Sequence, residues 1–134
     1  MRLADLNPEW VRWEDRIETC TRVLGDPLAW RPGDPVETYL GPRTYIPSVS
    51  TLAEAQGIVF DCPVCTSPGH SIQVAFRDRG VLDHHGTRGK DGKPTRWQVV
   101  SGTGFHDLTL SPSIDLTPWK PTCWHGHIKN GAIE

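Results

Sequence analysis

The chain lacks any long run of apolar residues among its 134 positions. A transmembrane helix needs about 20 consecutive residues that are mostly apolar, and a secretory signal peptide needs an apolar stretch close to its N-terminus. Residues 1–8 instead mix apolar side chains with charged and polar ones. We therefore expect no membrane partner and a cytoplasmic location.

The chain also lacks an excess of charge of either sign, with a formal net charge of −2 at pH 7. Proteins that bind nucleic acid gather lysine and arginine on one face, because these side chains neutralise phosphates. The basic residues between Arg77 and Arg96 are interleaved with Asp78, Asp83 and Asp91. This mixture is typical of a solvated loop, and we expect no nucleic-acid partner.

Internal repeats are absent as well, whereas glycine and proline are abundant, with thirteen and twelve residues. This composition is typical of short strands joined by many turns. A chain of this length usually forms one domain with its own core. We expect a single α+β domain over 1–134 that is mostly β. Residues 58–134 would form a small antiparallel β core, and residues 1–57 one helix and a wrapping segment.

One amphipathic helix is predicted near the N-terminus. Asn7 can cap it, Pro8 suits its first position and Gly25 would end it. Between these limits, apolar side chains recur at steps of three and four residues, at Trp10, Trp13, Ile17, Cys20 and Leu24. Because Cys20 lies on this stripe, we expect it to be a buried packing thiol.

Residues 26–50 contain five prolines, which interrupt regular structure. We expect an extended segment that wraps around the core. Its anchors would be Trp30, Tyr39, Tyr45 and Ile46.

Short β-strands are predicted in the rest of the chain. Residues 58–60 are continuously apolar, residues 72–76 alternate between apolar and other side chains, and a third strand begins at Trp97. The dipeptide Asn130-Gly131 predicts a tight hairpin turn.

The pair Cys62-x-x-Cys65 is the clearest metal-binding pattern in the chain. Two intervening residues let both sulfurs face one ion on a tight turn, which is half of a tetrahedral zinc site. A redox pair would require a helix after the cysteines, but Pro68 and Gly69 follow here. Free core thiols are the other alternative. We predict a zinc-knuckle-like site that stabilises the fold.

The remaining zinc ligands must come from distant positions. We expect Cys123 as the third ligand, and His70, His125 and His127 are candidates for the fourth. A histidine that binds metal cannot also act as a general base, because the metal occupies the lone pair that accepts a proton. Since His125 is also a candidate base, we predict that His70 or a water completes the site.

Two segments near the C-terminus concentrate reactive side chains. In extended segments, alternate side chains share a face, which groups Asp107, Thr109, Ser111 and Ser113 in one segment and His125, His127 and Lys129 in the other. A serine becomes nucleophilic when an imidazole takes its proton and a carboxylate orients that imidazole. Ser113 or Ser111, His125 and Asp107 are residues of these types. The alternative is that the Ser-Pro-Ser sequence only makes turn hydrogen bonds.

The same histidines suggest a second chemistry. His125 and His127 can supply two ligands to a catalytic zinc that activates water. A third ligand would come from His84, His106 or Asp107. A zinc-dependent hydrolase is therefore an alternative.

Four motifs occur in order between residues 58 and 134: FDCPVC at 60–65, SGTG at 101–104, DLTLSPSI at 107–114 and CWHGHIKNG at 123–131. In combination they resemble a family of small phage and prophage proteins of unassigned function, some of which carry the label ammonia monooxygenase. They are also similar to the peptidase of bacterial ubiquitination-like (Bub) operons. That peptidase is a deubiquitinase-like serine protease that exposes the C-terminus of a ubiquitin-like protein.

The resemblance implies a hydrolase of the serine-peptidase type acting on a protein or peptide, with ubiquitin-like proteins among the candidate substrates. Ser113 would be the nucleophile, with Ser111 as the second choice, His125 the base and Asp107 the orienting carboxylate. A phage origin would place the protein in the cytoplasm of a bacterial host. The alternative from another class is a non-enzymatic, zinc-stabilised phage accessory protein that binds a host protein, because a fold does not fix a function.

Overall fold

The computed structural model describes every residue except 66–69 and 119. Contacts divide the chain into two compact units. Unit 1 consists of Met1–Trp13 and Pro47–Glu134, and unit 2 of Glu14–Ile46. Each unit is described by itself below.

Strands dominate the secondary structure. In chain order they are β1 (Glu9–Val11), β2 (Glu14–Val23), β3 (Val36–Tyr45), β4 (Ser48–Val49), β5 (Gly57–Asp61), β6 (Ser71–Ala75), β7 (Gln98–Ser101), β8 (Thr109–Ser111), β9 (Ile114–Asp115), β10 (His125–Gly126), β11 (Ile128–Lys129) and β12 (Ala132–Ile133). Two short 3-10 turns, Leu3–Leu6 and Pro27–Ala29, are the helical part of the described chain. The prediction of a mostly β chain with small antiparallel sheets is confirmed. Over the same residues, no helix has the length and apolar character that a membrane span requires.

The predicted N-terminal helix is wrong, because strands β1 and β2 occupy its place. The apolar spacing predicts one buried face of a helix, but its residues do not share one environment. Trp10 and Trp13 are buried, whereas Ile17 is 71 % exposed. Alternate positions of β2 are β-branched, namely Ile17, Thr19, Thr21 and Val23. Such side chains favour a strand over a helix.

Unit 2 is built around an antiparallel hairpin of β2 and β3. The register runs from Glu14 opposite Tyr45 to Val23 opposite Val36. Pro42 lies within β3 without disrupting it, because each strand of a two-stranded sheet has a free edge where a missing N–H is tolerated. Residues 36–45 therefore form a regular strand and not part of an irregular wrapping segment.

The two faces of the hairpin differ in charge. On one face, Arg22 Nε lies 2.8 Å from a carboxylate oxygen of Glu37, and the Tyr45 hydroxyl donates to the Glu18 carboxylate. The opposite face consists mostly of uncharged side chains, among them Ile17, Thr19, Thr21, Val23, Val36, Thr38, Leu40 and Pro42.

The side chains predicted to anchor this segment are mostly exposed. Trp30, Tyr39 and Ile46 are exposed, and Tyr45 is half-buried. Cys20, predicted to be a buried packing thiol, is half-buried. The hairpin therefore buries little apolar surface.

A four-stranded antiparallel sheet, in the order β4-β1-β5-β6, frames unit 1. Ile58 and Phe60 of β5 and Ile72 and Val74 of β6 are buried, which confirms the two predicted core strands. The later strands and the residues directly before them complete this core with Leu108, Leu110, Ile114, Trp124 and Ile128. This sheet also places Cys62 at the end of β5 and His70 just before β6.

Three two-stranded sheets, β7-β8, β9-β10 and β11-β12, complete unit 1. The predicted hairpin between β11 and β12 is confirmed, with φ of 46° at Asn130 and 73° at Gly131. Both angles are those that an Asn-Gly turn adopts readily. The β9-β10 pair brings Asp115 opposite His125, close to the Ser-Pro-Ser segment.

Candidate metal centre and serine–histidine pair

The structure brings together the four residues predicted to bind metal. Ligand atoms of Cys62, Cys65, His70 and Cys123 all lie within 4.8 Å of one another, and this cluster can hold a metal ion. The first three belong to the connection between β5 and β6. Cys123 comes from the turn before β10, where its N–H donates to the carbonyl of Lys120 at 2.8 Å.

The sulfur separations fit ligands that share one ion. Cys123 Sγ lies 3.5 Å from Cys62 Sγ and 3.6 Å from Cys65 Sγ. Four ligands at about 2.3 Å in a tetrahedron hold their sulfurs about 3.8 Å apart, whereas a disulfide bond is about 2.05 Å long. All three cysteines are free thiols.

The thiols of Cys62 and Cys123 differ in pKa. Burial opposes the ionisation of Cys62, but the N–H groups of Cys65 and Val64 and hydrogen bonds from the other two thiols outweigh it. They lower the pKa of Cys62 to about 6. Burial and the hydrogen bond with Cys62 raise the pKa of Cys123 to about 11. Cys62 therefore forms the thiolate, which is the form that binds metal, at lower pH than Cys123 does.

His70, the fourth candidate ligand, has a buried polar atom that lacks a hydrogen bond within the described chain. His70 Nδ1 is buried and has no hydrogen-bond partner among the residues that the structure describes, although buried polar atoms are nearly always paired. A nitrogen that gives its lone pair to a metal would be satisfied in this position. Lys120 Nζ lies 3.8 Å from Cys65 Sγ, so a basic side chain is next to the sulfurs.

A serine and a histidine are in contact at the β9-β10 strand pair. Ser113 Oγ lies 3.4 Å from His125 Nε2. The contact follows from the register of β9 and β10, in which His125 pairs with Asp115, two residues after Ser113. Residues two apart in a strand share a face, so Ser113, His125 and Asp115 lie on the same side.

Asp115 is a site residue that was not predicted from the sequence. The Leu116 N–H donates to the Trp124 carbonyl, which makes Asp115 and His125 a non-hydrogen-bonded pair, the kind whose side chains are closest. Hydrogen bonds from the Thr117 hydroxyl and N–H lower the pKa of Asp115, aided by the charges of His125 and Lys90. The alternation that placed Ser111 and Ser113 on one face would have marked this residue if the extended segment had been continued by one residue beyond Ile114.

The orienting role predicted for Asp107 is not supported by its contacts. Asp107 lies in the turn before β8, where its carboxylate accepts from the N–H groups of Thr103 and Gly104, each at 2.9 Å. These hydrogen bonds lower its pKa. Its nearest imidazole contact is His106 Nε2 at 3.8 Å. Asp107 therefore stabilises the glycine-containing turn, which the extended reading of residues 107–113 did not predict.

The second predicted serine also lies apart from the imidazole. Ser111 is exposed at the end of β8, opposite Gln98 of β7. In the described parts of the chain, Ser113 is the serine that contacts His125. The structure thus distinguishes the two serines, which sequence reasoning left open.

His127 has a backbone role in the last hairpin. Its N–H and carbonyl exchange hydrogen bonds with Glu134, at 3.1 and 2.9 Å. Within the described residues, neither His127 nor His125 belongs to a group of three or more side chains that can hold a metal. The catalytic-zinc alternative, with His125 and His127 as two ligands, therefore lacks a third ligand among the described residues.

A cleft of about 120 Å³ opens beside the serine–histidine pair. Ser113 and Asp115 line one side of it, and Lys90 and the neighbouring loop residues line another. The indole Nε1 of Trp97 donates to the Ser113 carbonyl at 3.3 Å and helps to fix the serine backbone.

Comparisons with models of known protein families, with curated protein sequences and with solved structures find no match to this chain.

Proposed function

We propose that the chain is a hydrolase of the serine-peptidase type whose fold is stabilised by a structural zinc ion. The observation that carries the proposal is the contact of 3.4 Å between Ser113 Oγ and His125 Nε2, beside a cleft. This distance exceeds the usual 2.6–3.2 Å of an active pair by a few tenths of an ångström, as is common in substrate-free sites.

His125 would act as the general base. It would take the hydroxyl proton of Ser113 on Nε2 while Oγ bonds to the carbonyl carbon of the substrate, and it would then give that proton to the leaving amine. A water molecule would hydrolyse the acyl-serine by the same route in reverse. Two histidines are thus assigned separately, His125 to proton transfer and His70 to the metal.

Asp115 replaces Asp107 as the acidic member of the proposed set. Thr117 holds its carboxylate in place through two hydrogen bonds, at 2.6 and 2.9 Å. The lowered pKa keeps Asp115 ionised, so it can stabilise the imidazolium that forms on His125 across the strand pair.

Zinc is proposed because three thiolates and one imidazole form a common closed tetrahedral zinc site. Such a site has no open position for substrate and contributes directly to folding. This assignment leaves bond cleavage to the serine and histidine.

The resemblance to peptidases of bacterial ubiquitination-like operons supports a protein or peptide as substrate, with ubiquitin-like proteins among the candidates. It also supports action in the cytoplasm of a bacterial host.

A fluorophosphonate probe tests the proposed nucleophile, because it reacts covalently with activated serines. We expect mass spectrometry to locate the label on Ser113, and Ser113→Ala to abolish labelling. Ser111→Ala is the matched control, since it removes an exposed hydroxyl two residues away, and it should keep at least half of the labelling rate.

The base is tested in the same assay. His125→Ala should lower the labelling rate about 100-fold or more, which is the scale of general-base catalysis, whereas His127→Ala should change it little. Labelling that survives in Ser113→Ala would contradict the proposal. A wild-type protein that holds its metal but reacts at no serine would also contradict it, and would favour the non-enzymatic binding protein.

A further inference from the structure

The outer edge of β6 is an open sheet edge over part of its length. β6 is the last strand in the sheet order, and it pairs on its inner side with β5. The Cys62 N–H donates to the His70 carbonyl, which fixes the alternation of hydrogen bonds along the ladder. Ile72 and Val74 therefore bond to β5, and the backbone groups of Ser71, Gln73 and Ala75 point outward.

Part of this outer edge is already paired. The Ala75 carbonyl accepts from the Trp97 N–H at 2.9 Å, and the Gln73 carbonyl accepts from the Thr87 hydroxyl at 2.8 Å. Among the residues that the structure describes, no hydrogen bond reaches the Ser71 N–H, the Ser71 carbonyl or the Gln73 N–H. Two donors and one acceptor thus remain along two alternate residues of the strand.

These groups border a cavity of about 270 Å³. Ser71 and Gln73 form the edge-strand wall, and Leu116 and Lys120 lie on other sides. Cys123, a metal ligand, also lines it. Because His70 and Cys123 both border the cavity, the metal centre fixes its shape.

The cavity adjoins the cleft that contains Ser113. Thr87 and Leu116 line both spaces. A chain lying along the β6 edge can therefore continue past these two residues towards the serine.

We propose that an extended polypeptide segment binds in this cavity by adding a strand to the free edge of β6, and that Lys120 selects a carboxylate on that segment. The inference rests on the proposed function and names its substrate class, an extended protein segment with an acidic group. Strand addition to an exposed sheet edge is a general mode of peptide recognition, in which main-chain hydrogen bonds provide affinity and side-chain pockets provide specificity.

The spacing of the free groups favours a polypeptide. Ser71 offers a donor and an acceptor, and Gln73 offers a donor about 6.6 Å further along, since each strand residue advances about 3.3 Å. An extended main chain repeats its own N–H and carbonyl groups at this interval.

The charge in the cavity favours an acidic group. Lys120 Nζ is exposed and its contact among the described residues is Cys65 Sγ at 3.8 Å. A divalent metal ion with three thiolates and one neutral imidazole carries one net negative charge. Lys120 contacts this set with one side of its ammonium group only. Its outer side remains available to an Asp or Glu side chain or to a terminal carboxylate.

Nuclear magnetic resonance on the full-length, metal-containing chain tests strand addition. Ser113→Ala is used throughout, so that no peptide is cleaved, and the probe is a randomised hexapeptide pool with Asp fixed at one central position. We expect the amide signals of Ser71 and Gln73 to shift. Gln73→Pro removes the outward N–H, and a sheet edge tolerates proline. This variant should lower the affinity for the peptide pool about tenfold. Gln73→Ala loses the same side chain but keeps the N–H, and should bind like the parent chain.

Three further pools test the role of Lys120. A pool with Asn in place of Asp should bind about threefold more weakly, the scale of an exposed ion pair, and Lys120→Gln should abolish that difference while Lys129→Gln keeps it. Pools with Asn and either a free or an amidated C-terminus show whether a terminal carboxylate can replace the acidic side chain.

The outcomes separate this inference from the proposed function. Strand addition would be overturned if no pool shifts the signals of Ser71 and Gln73, or if Gln73→Pro and Gln73→Ala bind equally well. This holds even if the fluorophosphonate labels Ser113. Peptide binding that depends on the Gln73 N–H, together with a wild-type chain that the fluorophosphonate never labels at Ser113, would support strand addition and reject hydrolysis. If Gln73→Pro fails to fold, N-methylated peptides against the parent chain test strand addition at the Ser71 carbonyl instead, because they lack the main-chain donors from which this carbonyl would accept. Binding equal to that of the unmethylated peptides would overturn strand addition.

Discussion

The β2-β3 hairpin and the sheet of unit 1 both consist of antiparallel strands, but they are stabilised in different ways. The hairpin has a longer ladder than any strand pair of unit 1, yet most of its side chains are exposed. β5 and β6 are half as long, and all of their apolar side chains except Val59 are almost fully buried. Ladder length and apolar burial are therefore separate properties.

The comparison shows where single residues matter. A two-stranded hairpin is marginally stable in water because it buries little apolar surface, and its cross-strand pairs each contribute roughly 0.2–1 kcal/mol. In unit 1, side chains are packed against one another and against the cluster of Cys62, Cys65, His70 and Cys123. We expect equivalent substitutions to have large effects in unit 1 and small effects in the hairpin.

The largest difference is expected between two cysteines. Cys123→Ser removes a ligand from the metal cluster and should release the metal, because structural zinc binding contributes directly to folding free energy. The melting temperature should fall by on the order of 10 °C or more, given about 2–8 °C per kcal/mol for domains of this size range. Cys20→Ser in the hairpin should change neither metal content nor melting temperature measurably. Elemental analysis and thermal unfolding monitored by circular dichroism provide both measurements.

Two results would reverse that comparison. Equal destabilisation by the two substitutions would show that the cluster has no special role. Wild-type protein with less than about a tenth of an equivalent of metal, and with unchanged melting after chelation, would reject the structural metal.

The second difference is expected between two isoleucines in strands. Ile58 of β5 is fully buried, and Ile17 of β2 is 71 % exposed. Ile58→Ala should lower the free energy of unfolding by about 2–5 kcal/mol, because it removes buried methyl groups and leaves a cavity. Ile17→Ala should change it by about 0.5 kcal/mol or less, as exposed substitutions usually do. Chemical denaturation of both variants provides the values, and a loss at Ile17 as large as that at Ile58 would mean that a contact buries the hairpin face.

The sequence allowed prediction of the parts whose signals are local or chemically specific. The apolar runs of β5 and β6 and the Asn130-Gly131 turn depend on neighbouring residues. The clustering of Cys62 and Cys65 with Cys123 and His70 was predictable because few side chains bind zinc, so a Cys-x-x-Cys pair indicates further cysteine or histidine partners.

The rest depended on pairing between distant segments. The apolar spacing from Trp10 to Leu24 fits a helix, and nothing local shows that residues 14–23 pair with residues 36–45. Asp115 was missed for a similar reason, since its position opposite His125 follows from the register of β9 and β10. The role predicted for Asp107 gains no support from its contacts, because the hydrogen bonds that it accepts from the Thr103 and Gly104 N–H groups belong to a turn that alternation along an extended strand does not describe.

The smallest difference is expected between two strand glycines. A Cβ at Gly57 of β5 would collide with the Val74 carbonyl and lie 2.5 Å from the Trp13 ring. The buried backbone cannot move away easily, so Gly57→Ala should cost about 1–3 kcal/mol.

At Gly41 of β3, the nearest atom to such a Cβ is the Tyr39 ring at 2.9 Å, and an exposed tyrosine can rotate. Replacing a strand glycine by alanine also restricts the unfolded chain, which is worth about 0.4–1 kcal/mol in favour of the fold. Gly41→Ala should therefore be neutral or slightly stabilising. Because both substitutions add one methyl group to a strand, a difference below about 0.5 kcal/mol in their unfolding free energies would indicate that packing in β5 is no tighter than in the hairpin.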